Sequence, residues 1–183
     1  MSEAERLRRL GLWLALARLI AVFLAASQIA FTDSFPEGYH TWAWAVWAAF
    51  AAGSVAIALV TTRHFSVTAR NRMAVAVLGF DLVAAFAFMV LFSFESGQPV
   101  WAVLYLPVIE GALRFRLLGG VATSVACLPL LATAEVFRAD RFAPESLRLD
   151  VVAARGGFAL LLGTVLGGVV SALVEQGKLS DQR

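Results

Sequence analysis

Six ionisable residues, Arg18, Asp81, Glu110, Arg114, Glu135 and Arg155, stand inside or at the rim of long apolar runs. A charged group at the centre of a membrane helix costs roughly 2.5–3.5 kcal/mol on insertion scales, so each is expected to be paired or to face water. A matched set of this kind can hold a counter-ion, pass a proton or bind a polar ligand. It can also do no more than fix helix order and register, because a buried ion pair is weak evidence of net stabilisation. Glu110 and Arg114 are four residues apart, a spacing at which they meet on one helix. Pro107, three residues before Glu110, lacks a backbone N–H, and the expectation is a kink that opens a pocket beside that carboxylate.

Other chemistry is poorly provided for. The sequence has no Walker loop, no metal-ligand cluster and no nucleophile with a base at matching depth, Ser124 and Ser171 included. His40 and His64 fall in linkers on opposite sides and are read as solvated. Cys127, the only cysteine, lies in an apolar run and is read as packing. The expectation is therefore a chain that is not an enzyme, with no cofactor and no metal.

The elements that position these residues follow from composition. Sixty per cent apolar residues, 15% charged and a mean hydropathy of +0.79 lie far from soluble averages of about 45–50% and about 25%. An all-α, multi-pass membrane protein is expected, with six spans at about 10–31, 42–62, 73–94, 100–117, 119–137 and 151–174 in a single membrane domain covering 1–183. The first run is read as a retained span, since no small-residue cleavage site precedes a soluble region. Trp42, Trp44 and Trp47 read as an interfacial belt. The short elbow 96–99 makes spans three and four antiparallel neighbours. Gly163 and Gly167, with Gly156, Gly157 and Gly168, provide small-residue spacing for a homodimer seam or for internal packing, and Ala17, Ala21 and Ala25 form a similar ridge on span one.

The basic residues set the orientation. Arg6, Arg8, Arg9, Arg63, Arg70, Arg72, Arg114, Arg116, Lys178 and Arg183 fall on one side, ten in all, against Arg138, Arg141 and Arg148 on the other. The positive-inside rule then puts both termini in the cytoplasm. The same distribution speaks against nucleic acid as a partner. Arg18 and Asp81 each lie eight residues into a span that enters from the cytoplasm, roughly 12 Å deep at 1.5 Å per residue, so they are expected to pair. Glu135 and Arg155, both near the outer ends of their helices, are the second expected pair.

The stretch DLVAAFAFMVLFSFESGQPVWAVLYLPVIEGALRFRLLGG resembles the amino-terminal membrane module of bacterial, especially actinobacterial, sensor histidine kinases and related diguanylate cyclase or GAF-containing signalling proteins. The resemblance rests on Asp81, Gly97, Pro99, Pro107, the run Glu110-Gly111-Ala112-Leu113-Arg114, and Gly119-Gly120, with Arg18 early in the first span. It implies a six-helix membrane sensor in the bacterial cytoplasmic membrane, acting on a cytoplasmic output domain. Such modules feed a linker helix and an output domain, whereas this chain stops about nine residues after span six; an excised module or a standalone relative working through a partner protein is implied.

The leading expectation is therefore a non-catalytic module that relays a stimulus through helix repacking. A small-solute-binding subunit, similar in size and span number to the substrate-binding membrane component of energy-coupling-factor transporters, requires an occluded, roomy pocket on the outer side of spans four to six. A scaffold subunit requires only structural charge pairs. Beyond a protein partner, and a second copy of the chain if the glycine spacing serves a homodimer rather than internal packing, the lipid bilayer is the expected surrounding.

Overall fold

In lipid no water is present to bond a free backbone group, so apolar runs of this length must close their hydrogen bonds internally. The computed structural model describes residues 3–61, 67–94, 100–142 and 147–180, and these form helices with no strand among them. The helices are α1 (Glu3–Phe31), α2 (Tyr39–Thr61), α3 (Val67–Leu91), α4 (Tyr105–Arg141) and α5 (Leu149–Ser180), with a 3-10 segment at Val100–Leu104 leading into α4. Arg63, His64, the 96–99 elbow with Gly97 and Pro99, Glu145 and Arg183 lie outside the described residues. All five helices are long and apolar enough to cross a membrane, which makes this a multi-pass membrane protein. Five hydroxyls inside them are satisfied locally: Ser27, Thr61, Thr123, Thr133 and Ser171 each donate to the carbonyl four residues back.

The chain divides into two compact units, 1–77 and 78–183, the division falling within α3. In the first unit α1 and α2 run antiparallel. A turn at Pro36–Tyr39 joins them, closed by the Tyr39 N–H on the Pro36 carbonyl at 3.0 Å, with Gly38 at φ 81°. That φ is the type II position glycine tolerates best. Trp47 Nε1 donates to the Val22 carbonyl at 2.9 Å, and a Cβ on Gly11 would lie 3.0 Å from Thr61 Cγ2. Gly11, Ala15, Arg18 and Ile29 make the buried stripe of α1, while Leu12, Trp13, Ile20, Phe23 and Leu24 are exposed on its other faces, as lipid contact requires. Ala17 is exposed and Ala21 and Ala25 are half-buried, so the alanine ridge runs beside the packed stripe.

The second unit is built on a hairpin inside α4. At Arg116 the backbone leaves the helix, with φ 59° and ψ −144°, and the chain doubles back. Cys127 Sγ donates to the Leu104 carbonyl at 3.8 Å, and Gly111 faces Gly119 and Thr123. The arms are 105–115 and 117–141. The break expected between spans ending at 117 and starting at 119 thus falls on Arg116, because Gly119 and Gly120 are needed where helices touch. A Cβ on Gly119 would collide with Gly111, and one on Gly120 with Gly163.

The second arm packs antiparallel along α5 through small residues. Gly163 meets Gly120 and Ser124, Gly167 meets Leu117 and Arg116, Gly156 meets Leu128, and Ser124 Oγ lies 2.7 Å from the Ala159 carbonyl. Gly163-x-x-x-Gly167 is therefore an internal seam. Ala85 and Met89 of α3 close the core of this unit with Leu104, Val108, Cys127 and Leu131. Helix α5 does not stop at the end of its apolar run: residues 175–180, past the expected end of span six near 174, remain helical.

Candidate functional site

Charge is concentrated at the two ends of the α4–α5 unit. At the turn end, Glu110 is 4% exposed. Arg114 Nε donates to its Oε1 at 2.7 Å, so this expected i,i+4 pair forms. The pair sits immediately before the left-handed Arg116. Pro107 is buried in the first turn of α4, where its missing N–H costs nothing and no kink results. The bend expected there lies instead at Arg116, whose backbone region is nearly reserved for glycine and costs about 1–3 kcal/mol in another residue.

At the open end of the hairpin, Glu135 is 4% exposed. Its expected partner was Arg155, but Arg138 takes both carboxylate oxygens: Nη2 donates to Oε1 at 2.6 Å and Nε to Oε2 at 3.1 Å. This fork exists because α4 continues through Arg141 and carries Arg138 one turn beyond Glu135, whereas a span ending near 137 leaves Arg138 in a linker. Arg155 instead lies with its guanidinium carbon 5.0 Å from the centre of the Trp101 ring. Its carbonyl accepts from the Tyr105 hydroxyl at 3.2 Å, and the Trp101 and Tyr105 rings meet edge to face at 5.6 Å.

These groups surround a half-enclosed cavity of about 50 Å³. Met89, Phe92 and Leu131 supply apolar wall, and Ser93, Trp101, Glu135, Arg138 and Arg155 supply polar or aromatic wall. A water needs about 10–15 Å³ of such volume, so the space suits a few waters or one small polar group. Drug-sized ligands occupy about 300–1,000 Å³. Fourteen residues of helix separate the level of Glu110, near residue 121 on the facing arm, from Glu135, about 21 Å at 1.5 Å per residue.

Arg18 lies in the first unit, 6% exposed on the buried stripe of α1; Asp81 lies in the second, half-buried on α3. Ser54, which no sequence motif marks, is 1% exposed on the α2 face toward α1, and its hydroxyl has no hydrogen-bond partner among the described residues. His40 belongs to the first turn of α2, not to a linker, and its Nε2 accepts from Trp44 Nε1 at 3.2 Å. Trp47 is half-buried with its indole N–H bonded, whereas Trp42 is exposed as a belt residue should be. Among the described residues no group of three His, Cys, Asp or Glu could hold a metal ion. No family model, no curated protein and no solved structure matches this chain.

Proposed function

We propose that the chain is a non-catalytic sensory module of a bacterial cytoplasmic membrane, which relays a stimulus by repacking the α4 hairpin against α5. One observation carries this reading: the cavity and the buried ion pair lie on a single hairpin, and that hairpin is seamed to a helix that continues unbroken past its apolar run to Ser180. A change at the cavity then has a stiff route out of the membrane. The chain crosses six times in this reading, the fourth and fifth crossings being the arms of α4, and both ends are cytoplasmic. An unbent Val100–Arg141 segment of 42 residues would reach about 63 Å, twice the roughly 30 Å hydrocarbon core; the reversal at Arg116 removes that conflict. Output passes to a cytoplasmic domain or partner protein.

A stimulus shifts such an equilibrium only by its differential free energy for the two packings. Glu110, at the turn, is where that difference is set, and Asp81, Arg18, Arg114, Glu135 and Arg155 are the further residues to test. The small cavity favours a relay over capture of a vitamin-sized solute. The test is a chimaera in which α5 continues into the catalytic half of a histidine kinase, with autophosphorylation measured in membranes. Glu110→Gln is expected to change basal output per inserted molecule at least threefold, with output normalised to the amount of chimaera in the membrane. Output indistinguishable from the parent chimaera would remove Glu110 from the relay.

A further inference from the structure

We infer that the cavity at the open end of the hairpin binds a small oxyanion, a carboxylate or phosphate group, with the Arg155 guanidinium as its main recognition element. The inference deepens the receiving end of the relay and takes its consequence from that reading, but binding is measurable without any output, so the two fail separately.

The charge count of the cavity points to an anion. Glu135 is committed to Arg138 through a two-point fork at 2.6 and 3.1 Å, and those two charges cancel. Arg155 remains. Among the described residues its guanidinium makes no ion pair and no hydrogen bond, and its central carbon lies 5.0 Å from the centre of the Trp101 ring. An aromatic face holds a guanidinium in place without using its N–H groups. Five donors in a planar fork are therefore left in a half-enclosed, partly apolar space whose described lining residues, Glu135, Arg138 and Arg155, sum to one positive charge, which is the arrangement that binds carboxylate or phosphate at two points.

The wall is also fixed. The Tyr105 hydroxyl on the Arg155 carbonyl at 3.2 Å ties α5 to the start of α4, and the edge-to-face contact at 5.6 Å ties Tyr105 to Trp101. A bound anion would thus bridge α5, through Arg155, to the 3-10 segment and hairpin, through Trp101. At about 50 Å³ the space takes the charged head of a ligand and leaves its body outside. A phospholipid headgroup and a free small acid share this chemistry.

The intact protein in dodecyl maltoside is titrated at constant ionic strength with sodium phosphate, with sodium acetate and with a short-chain phosphatidylglycerol, and tryptophan fluorescence is recorded. A saturable change is expected that Arg155→Gln weakens at least tenfold, Arg155→Lys, which keeps charge but loses the fork, at least threefold, and Arg141→Gln, exposed at the end of α4, not at all. Saturation by phosphate or acetate identifies a free anion; saturation by the phospholipid alone identifies a headgroup. No saturation by any of the three overturns the site. So does an unchanged affinity in Arg155→Lys, a result that stands even if Arg155→Gln does not fold.

Discussion

Arg114 and Glu110 show what a single buried pair is for. With side chains 14% and 5% exposed, neither can be left alone, and removing one partner of a buried pair typically costs about 3–5 kcal/mol. Arg114→Leu is expected to lower stability by about that amount in detergent unfolding, and Glu110→Gln added to it should restore most of the loss. Two independent, additive losses would show that the pair is not a unit. Arg116 makes the complementary case. Its φ of 59° is strained for any side chain, so Arg116→Gly should stabilise by about 1 kcal/mol and Arg116→Val should destabilise; thermal melts read both. The Glu110–Arg114 pair was legible in the sequence because i,i+4 geometry is local. Arg155 on Trp101 was not, since 54 residues separate them and only the folded hairpin brings them to one wall.

Among the elements, the glycines of α4 and α5 carry the most information. A Cβ on Gly120 would meet the Gly163 backbone, while one on Gly168 or Gly157 would meet nothing within 4 Å. Gly120→Ala is therefore expected to cost about 1–3 kcal/mol by overpacking, and Gly168→Ala to be neutral or to gain up to about 1 kcal/mol from helix propensity. Equal effects at the two positions would deny the seam. The small-residue spacing announced close helix contact, yet spacing alone does not say whether the partner is internal or a second copy; the partner here is the helix immediately before it. The turn was misplaced for a related reason. The spans expected at 100–117 and 119–137 put the break beside Gly119, whereas both glycines are used for their lack of a side chain where helices touch. Helix ends slipped in the same direction: α4 and α5 each run on beyond the apolar residues, and that extension is what gives Glu135 its partner.

For the whole molecule, apolar run length and the interspersed arginines made the helical membrane class plain, because bilayer thickness dictates both. Side-to-side pairing across helices was less accessible, since depth along a helix says nothing of which face a residue occupies. The six-crossing reading predicts that reporters fused after Arg183 and before Met1 are both cytoplasmic, and that one inserted at 143–146 lies on the opposite side. Alkaline phosphatase and fluorescent-protein fusions would decide this, and ends on opposite sides would contradict it. The relay itself is tested most directly by a distance within the second unit. Nitroxides on Val136, exposed at the open end, and Glu175, exposed on the far part of α5, are compared by pulsed electron resonance with the cavity empty and saturated, in a Cys127→Ser background. A shift of the mean distance by about 1–2 Å, the scale of helix movements in switching proteins, is expected, and it should vanish in Arg155→Gln. Full occupancy of the cavity with no change in that distance would contradict the account.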